Sequence, residues 1–239
     1  MTAEQVQRVL VVTAHPDDVD FGSGGTIATW TVAGVTVSYC IATDGDAGGF
    51  DPEVPRSAIA GIRQDEQRKA AATLGVTDVE FLGHPDGRLT VSFDLRRDIA
   101  RAIRRVRPDR VLVHSPQRDL RNLYVSHPDH LAAGEAALCA VYPDARNPFA
   151  YPELLAEEGL PAHTVPEVWV MSAGDRADHY VDITDTFDRK IAALRAHASQ
   201  TAHMTELEER IRGWGAMQAQ AAGLPDGRLA EGYVVLDTR

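Results

Sequence analysis

One histidine and two aspartates lie within four residues near the start of this chain, in "AHPDDVDFGSGG". His15 and Asp18 are three residues apart, so a tight turn stiffened by Pro16 can aim both side chains at one ion. An imidazole paired with a carboxylate suits zinc, iron or manganese better than magnesium. Three interpretations stay open from these residues: a nucleotide-binding loop, a capped turn without chemistry, or half of a metal site.

The glycines of "GSGGTI" partly match the dinucleotide-binding fingerprint G-x-G-x-x-G, which is the basis of the nucleotide interpretation. Ile27 stands at the third glycine position, and Gly22 lies eight residues beyond Ala14, too far for a tight strand-to-helix turn. A P-loop is excluded because the chain contains no Gly-Lys-Ser/Thr. We therefore expect the glycines to let the backbone turn beneath a site and to begin a helix near Gly24.

A second His-Pro-Asp sequence occurs far along the chain, in "SHPDH" from Ser126 to His130. Like the first, it follows a predicted strand and precedes a predicted helix. Loops at the carboxyl ends of parallel strands converge on one crevice, so the two sequences can meet there. The alternatives without a catalytic role are that Asp129 is a helix N-cap and that His127 is a surface residue. Two such sequences in one chain favour a catalytic metal with three protein ligands and one open position.

These stretches resemble the two signature motifs of the LmbE-like, PIG-L-type de-N-acetylase family. The resemblance extends to "TDGDAGG", "RQDE" with "AAATLGV", "FLGHPDGRL" and "DITDTFDRKIAALRAHASQ", and so spans the chain from Val9 to about Gln200. The family contains zinc-dependent hydrolases that remove acetyl groups from N-acetylglucosamine-type sugars. The resemblance therefore implies a metal-dependent amidohydrolase whose small-molecule substrate is an N-acetylated amino sugar or its conjugate.

Carried over residue by residue, the family pattern implies a metal site and a catalytic group beside it. The zinc ligands are His15, Asp18 and His130, with iron(II) as an alternative metal. The catalytic residues are Asp17 as general base, His127 as its protonated partner and Asp129 as the group that orients His127. Zinc lowers the pKa of water toward roughly 7 and polarises an acetyl carbonyl, and a nearby carboxylate can then move the proton.

Three further residues are expected to bind the substrate, namely Arg63, Asp44 and His197. Arg63 and Glu66 match the family's Arg-x-x-Glu, although an ordinary i, i+3 pair on a solvated helix fits that spacing equally well. Asp44 lies in a loop whose Asp and Gly residues also dominate ordinary turns. His197, in "AHASQ", matches a family feature near the rim of the site.

Asp20 departs from the family pattern, because family members often carry Glu directly after the Asp pair and this chain has Val19 there. We expect Asp20 to contact a ligand side chain or the helix N-terminus. The remaining histidines are interpreted as structural or exposed; they are His84, His114, His163, His179 and His203.

Alternating strand-like and helical segments must position these residues. Strands are predicted at Arg8–Ala14, Val35–Thr43, "VEFLG", Arg110–Ser115, "EVWVMS", "HYVDIT" and "GYVVLD". Further helices are predicted at about Ala58–Leu74, "FDLRRDIARAIRRV", Leu131–Val141, "FDRKIAALRAHASQ" and "TELEERIRGWGAMQAQ". The βαβα order predicts a single Rossmann-like α/β domain over residues 1–239, with a mostly parallel sheet flanked by helices and an active site at the carboxyl ends of the strands.

The composition of the chain limits which binding partners and which cellular location are expected for the protein. The net charge is −11 and no basic block appears, so neither nucleic acid nor an anionic membrane is an expected partner. No stretch approaches the ~18 apolar residues of a membrane span, the first apolar run is too short for a signal sequence, and a cytoplasmic location is expected. Cys40 and Cys139 are expected to be reduced. The Pro-rich segment 142–166 leaves a homo-oligomer open.

Two other functions stay open at this point. One is a zinc amidase that acts on a thiol-sugar conjugate or an antibiotic glycoside. The other is a sugar- or nucleotide-binding protein without turnover, against which the presence of Asp17 argues, since binding alone needs no base beside a metal.

Overall fold

A computed structural model of the chain describes residues 6–120, 123–172 and 177–239. Within these ranges seven strands are found: β1 (Arg8–Thr13), β2 (Thr36–Thr43), β3 (Asp78–His84), β4 (Arg110–Val113), β5 (Glu167–Ser172), β6 (His179–Asp182) and β7 (Ala230–Asp237). They form one sheet in the order β3-β2-β1-β4-β5-β7-β6. Strands β1 to β5 are parallel, and β7 is antiparallel to its neighbours β5 and β6.

Helices cover both faces of this sheet. In the described ranges they are α1 (Asp18–Val32), α2 (Arg56–Thr73), α3 (Phe93–Val106), α4 (Pro128–Cys139), α5 (Pro152–Ala156), α6 (Phe187–Ala196), α7 (Ala198–Thr201) and α8 (Leu207–Ala221). In β1, Leu10 and Val12 join the core beneath α3 and α4, whereas Val9 and Val11 join the core beneath α1, α2 and α6. Because successive strand residues face opposite sides, an unbroken apolar run suits this doubly covered strand.

The predicted fold class is confirmed: the sheet is mostly parallel and flanked by helices. Helix α3 coincides with the predicted segment, and Ser92 caps it by accepting a hydrogen bond from the Leu95 N–H at 3.1 Å. The starts predicted for two other helices are wrong. Helix α1 begins at Asp18 rather than near Gly24, and α4 begins at Pro128, whose fixed φ suits the first helical turn, rather than at Leu131. None of the described helices is long and apolar enough to span a membrane.

The glycines of "GSGG" therefore lie inside α1 and not in a turn before it. A Cβ at Gly25 would lie 2.7 Å from Cβ of Ile183, and a Cβ at Gly24 would lie 3.2 Å from Cγ of Lys190. These positions must lack a side chain so that α1 can pack closely on the segment that leads into α6. The expectation of a glycine turn is wrong, and the glycines instead permit close helix packing.

A buried ion pair holds the first turns of α1 from below. Lys190 Nζ donates to the carbonyl oxygen of Phe21 at 2.7 Å and to Glu231. Glu231 in turn accepts the backbone N–H groups of Gly25 at 3.1 Å and Thr26 at 2.7 Å. Both charges are paired and hydrogen-bonded, which is the condition for burying them without a large penalty. The pair anchors the helix whose N-terminus carries Asp18.

Candidate metal centre and active site

The chemistry-bearing residues gather at the carboxyl edge of the parallel strands. β1 ends two residues before His15, and β4 ends directly before His114. Helix α4 approaches the end of β4 closely because Gly134 has no side chain; a Cβ there would lie 2.4 Å from the carbonyl oxygen of His114. This close approach brings His130, in the first turn of α4, against His15.

Asp17 and Asp18 are neighbours in sequence, but their carboxylates contact different partners. Asp17 has φ 90°, a conformation that side-chain-bearing residues rarely adopt, and its N–H donates to Gln67 Oε1 at 2.7 Å. Its Oδ2 accepts a hydrogen bond from Arg63 Nη2 at 3.1 Å. The Asp18 carboxylate instead lies among histidine rings. The strained turn thus separates two adjacent carboxylates, as a site with two roles for them requires.

Donor atoms of His15, Asp18 and His130 form a compact cluster, which we call the donor triangle after its three residues, and in which each Asp18 oxygen lies near a different histidine. Nε2 of His130 lies 3.0 Å from Asp18 Oδ1 and 3.3 Å from His15 Nδ1. His15 Nδ1 lies 3.4 Å from Asp18 Oδ2. Ligand atoms bound at about 2.0 Å to a tetrahedral zinc are about 3.3 Å from one another, so this spacing fits such an ion. Two imidazole nitrogens and a carboxylate oxygen are also ligand types that zinc and iron accept.

Two carboxylates set the orientation of the His15 ring. Its Nε2 lies 3.1 Å from Asp86 Oδ1 and 3.3 Å from Asp129 Oδ2. Since carboxylates accept hydrogen bonds, the proton of neutral His15 belongs on Nε2, and the lone pair of Nδ1 is left facing Asp18 and His130. Metal-binding histidines commonly donate their other ring N–H in this way, which fixes the tautomer.

In addition to contacting His15, the Asp129 carboxylate accepts hydrogen bonds from the turn that follows β3. Its Oδ2 accepts the Gly87 N–H at 2.7 Å, and its Oδ1 accepts the Leu89 N–H at 3.1 Å. The resemblance implies that Asp129 orients His127, whereas here its carboxylate is engaged by His15 and the turn after β3. The Asp129 side chain is fully buried, so it acts from behind the donor triangle.

His127 is exposed and lies beside the donor triangle, with its ring centre 4.9 Å from that of His15 and 5.2 Å from that of His130. Its Nδ1 accepts the Asp129 N–H at 3.2 Å. A ring nitrogen that accepts a hydrogen bond carries no proton, so His127 is neutral in this arrangement with its proton on Nε2. Burial and the neighbouring His15 and His130 lower the pKa of His127, in line with a neutral ring. The resemblance implies a protonated ring here.

Two residues of this centre were missed from the sequence. Asp86, beside His15, belongs to a third His-Pro-Asp sequence at 84–86, and that repetition was the signal available. His114 was interpreted as structural or exposed, yet its Nε2 lies 3.0 Å from Asp18 Oδ2 and its ring stacks on His130. Its position directly after a parallel strand was the signal in that case.

The three residues expected to bind substrate lie in different surroundings. Arg63 is buried under the Asp17 turn, where its guanidinium also donates to the carbonyl oxygens of Pro16 and Gly45. Asp44 is half-buried and accepts from Gln64 Nε2 at 2.8 Å. His197 is fully buried, not at the rim, and its Nε2 lies 2.8 Å from Asp20 Oδ2. A fully buried His197 offers no surface to a sugar in this structure.

Asp20 lies behind the catalytic turn and joins His197 to it. Its Oδ2 accepts a hydrogen bond from Gln67 Nε2 at 2.9 Å, and Gln67 Oε1 accepts from the N–H of Asp17. Asp20 is fully buried. The chain His197–Asp20–Gln67–Asp17 therefore supports the strained residue at the site.

Burial and nearby charges shift the pKa values of the two adjacent carboxyl groups in opposite directions. Burial raises the pKa of Asp17 to about 6, although the positive Arg63 opposes it. Burial acts in the same direction on Asp18, but His130, His15 and His114 outweigh it and hold the pKa of Asp18 well below its usual range. Asp18 therefore stays anionic over a wide pH range, whereas Asp17 can take up a proton near neutral pH, and this difference suits the ligand and base roles that the resemblance implies.

The carboxylates around His15 and the burial of its ring shift the pKa of His15 in opposite directions. Burial lowers the pKa of His15, but Asp18, Asp129 and Asp86 together raise it to about 12. The position of Nδ1 is therefore one that attracts a cation, and a divalent metal competes there with a proton. Metal binding is accordingly expected to release that proton.

Clustered histidine and aspartate side chains at the carboxyl edge of an α/β sheet could bind a metal ion and suit the class of metal-dependent hydrolases. The profile of the PIG-L family, described as GlcNAc-PI de-N-acetylase, matches residues 10–141. The chain belongs to this family. It is 35% identical over 195 residues to the diacetylchitobiose deacetylase of Thermococcus kodakarensis, a match that covers 82% of this chain and 70% of that protein. The expectation of an amidohydrolase is confirmed.

Solved structures match nearly the whole chain. The N,N'-diacetylchitobiose deacetylase of Pyrococcus horikoshii, complexed with its inhibitor MPG, superposes with a TM-score of 0.88 at 29% identity, covering 98% of this chain and 85% of that one. The 4-carboxy-2-hydroxymuconate hydratase GalB of Pseudomonas putida superposes with a TM-score of 0.78 at 27% identity, covering 98% and 97%. One fold thus carries both a deacetylase and a hydratase, so the reaction depends on the residues of the site and not on the fold alone.

Proposed function

We propose that this protein is a zinc-dependent deacetylase that hydrolyses the acetamido group of an N-acetylglucosamine-type sugar or its conjugate. The observation that carries the proposal is the divergence of Asp17 and Asp18. Asp18 Oδ1 lies 3.0 Å from His130 Nε2 and Asp18 Oδ2 lies 3.4 Å from His15 Nδ1, whereas Asp17 Oδ2 accepts a hydrogen bond from Arg63. Membership of the PIG-L family and the deacetylases among the relatives support the same reaction.

His15, Asp18 and His130 are the residues that would hold the metal. When bound, zinc would lower the pKa of water and polarise the acetyl carbonyl oxygen. Two nitrogen donors and one oxygen donor also suit iron(II), which is the alternative ion. Two carboxylates, those of Asp86 and Asp129, lie beside Nε2 of His15 and fix the orientation of its ring.

Asp17 supplies the proton transfer. Its carboxylate accepts a proton from the attacking water and later gives that proton to the nitrogen of the departing amine, so that water and amide are converted to acetate and free amino sugar. A carboxyl with a pKa near 6 can perform both transfers at neutral pH. Arg63 keeps the carboxylate in place while its charge changes.

His127 is proposed to stabilise the oxyanion. With Nδ1 engaged by the Asp129 N–H, the proton of the ring is on Nε2 and can be donated to the carbonyl oxygen as negative charge develops there. Loss of such a donor typically costs about 10²–10³ in rate. The exposure of His127 beside the donor triangle suits contact with a bound substrate.

The part of the substrate beyond the acetamido sugar is proposed to enter an adjoining cavity of about 350 Å³. The cavity lies between the loop after β2 and the start of α2, and its lining includes Asp46, Ala47, Phe50, Pro52, Arg56 and Ile59. The Ala47 N–H donates to Asp86 at 3.0 Å, and Asp86 contacts His15, which connects the cavity to the centre. An exposed aromatic face with charged groups at the rim suits a second ring that carries hydroxyl groups.

The proposal is tested by metal-free protein reloaded with zinc or iron(II) and offered N-acetylglucosamine, N,N'-diacetylchitobiose, and N-acetylglucosaminides with polyol, thiol or glycopeptide aglycones. We expect acetate and primary amine to appear in equal amounts and only with metal present. Activity confined to thiol or glycopeptide conjugates would identify the narrower amidase. Bound metal without turnover would favour a binding protein, and water addition to an unsaturated acid without acetate release would favour a hydratase.

A further inference from the structure

His114 takes no part in the reaction proposed above, yet it touches two of the three residues assigned to the metal. Its Nε2 lies 3.0 Å from Oδ2 of Asp18. Its ring is stacked on that of His130, with ring centres 4.3 Å apart and planes 7° from parallel. The His114 side chain is only 10% exposed, so these contacts are made in a packed environment.

The hydrogen bonds of Asp18 distinguish its two carboxylate oxygens. Oδ2 accepts the backbone N–H of His15 at 2.7 Å and faces the Nε2 of His114 at 3.0 Å. Oδ1 lies 3.0 Å from His130 Nε2, the atom that forms one corner of the donor triangle. Two N–H donors therefore occupy Oδ2, although it also lies 3.4 Å from His15 Nδ1, and we take Oδ1 as the oxygen that keeps its lone pairs for an ion.

We propose that His114 is a positioning residue of the metal centre, which makes Asp18 present a single oxygen to the metal and fixes the plane of the His130 ring. This inference rests on the proposed function, because it takes His15, Asp18 and His130 as the ligands. A carboxylate that binds through one oxygen leaves one more coordination position open than one that binds through two, and a hydrolytic metal needs an open position.

A direct ligand role is the competing assignment for His114. Donor atoms of Asp18, His114 and His130 lie within 4.8 Å of one another, so the three could surround an ion. A fourth protein ligand would, however, fill the position that a hydrolytic site keeps open. The two roles differ in which feature of the ring matters: positioning uses the Nε2–H as a donor, whereas ligation uses a nitrogen lone pair.

Glutamine separates these roles, because its side-chain amide can donate an N–H near the position of Nε2 but is a poor zinc ligand. Zinc affinity is measured by competition with a chromophoric chelator for wild type, His114→Gln and His114→Ala, after circular dichroism has verified folding. The visible spectrum of the Co²⁺-loaded proteins reports coordination. We expect His114→Gln to keep wild-type affinity and spectrum, and His114→Ala to bind zinc about 10- to 100-fold more weakly.

Equal loss of affinity in both variants, together with an altered Co²⁺ spectrum in His114→Gln, would identify a direct ligand and overturn the inference. Unchanged affinity in His114→Ala would also overturn it while leaving the proposed function intact. Wild-type protein that binds no zinc would overturn both. These outcomes do not depend on finding the substrate, because metal binding is the quantity measured.

Discussion

Arg63 Nη2 lies 3.1 Å from the Asp17 carboxylate and 2.7 Å from the carbonyl oxygen of Pro16, so one guanidinium holds both the base and the turn that carries it. Nη1 of the same group donates to the Gly45 carbonyl oxygen at 3.0 Å, which ties in the loop after β2. The positive charge of Arg63 also opposes the rise that burial imposes on the pKa of Asp17. Arg63 thereby influences both the position and the proton affinity of the base.

Replacing Arg63 is expected to shift the pH dependence of activity. Asp17 must be ionised to accept a proton, so activity falls as the pH falls through its pKa. Arg63→Gln removes the charge that lowers this pKa, and the acid limb of kcat/KM against pH should move to higher pH. Arg68→Gln, on the exposed side of the same helix, serves as control and should leave the profile unchanged. An acid limb that does not move in Arg63→Gln would separate Arg63 from the proton transfer.

His197 is expected to support the site without touching the substrate. His197→Ala leaves the fully buried Asp20 with fewer partners and should lower the free energy of unfolding by about 3–5 kcal/mol, measured in urea. His197→Gln can still donate to Asp20 and should recover much of this loss. Neither variant should change KM for the substrate. A raised KM at wild-type stability would instead restore the substrate-binding role expected from the sequence.

The glycines of α1 are expected to act through packing. Gly25→Ala puts a Cβ within 2.7 Å of Ile183 and should destabilise the protein by about 1–3 kcal/mol. Gly61→Ala is the matched control, because this exposed glycine in α2 has nothing within 4 Å of a built Cβ and should gain about 0.5–1 kcal/mol of stability. Thermal and urea unfolding measure both. Equal effects of the two substitutions would contradict the packing role.

Phe50 is expected to discriminate between long and short substrates. If its ring packs against the second ring of a disaccharide, Phe50→Ala should raise KM for that substrate about tenfold, from a loss of about 1.4 kcal/mol. KM for N-acetylglucosamine should stay the same. Phe93→Ala, another exposed aromatic residue, is the control. A proportional change for both substrates in Phe50→Ala would show that the cavity is not a subsite.

Much of this architecture follows from local patterns in the chain. The unbroken apolar run of β1 and the order of elements predict a parallel sheet covered on both faces. The predicted start of α1 was wrong because the glycines were expected to form a turn before the helix. Asp17 takes a left-handed conformation instead, so α1 begins directly at Asp18 and the glycines lie inside it. Their packing against Met171, Lys190 and Ile183, which lie far along the chain, explains them.

The sequence predicted which side chains would lie together where these share a motif, and not where they are joined by packing, and the roles of the site residues remain predictions. His15, Asp18 and His130 stand in two recognisable sequences. His114 and Asp86 reach the same centre from other strand ends, and their contacts depend on how closely α4 and the turn after β3 approach. The expected oligomer and cytoplasmic location remain predictions.

The separation of ligand from base is tested most directly by measuring zinc content and acetate release together in Asp17→Asn and His130→Ala, with N,N'-diacetylchitobiose as substrate. We expect Asp17→Asn to retain the zinc of the wild type while its turnover falls by about 10²–10⁴, the usual contribution of a general base. His130→Ala should lose zinc and activity together. Near-normal turnover in Asp17→Asn, or full zinc content with normal turnover in His130→Ala, would contradict the assignment.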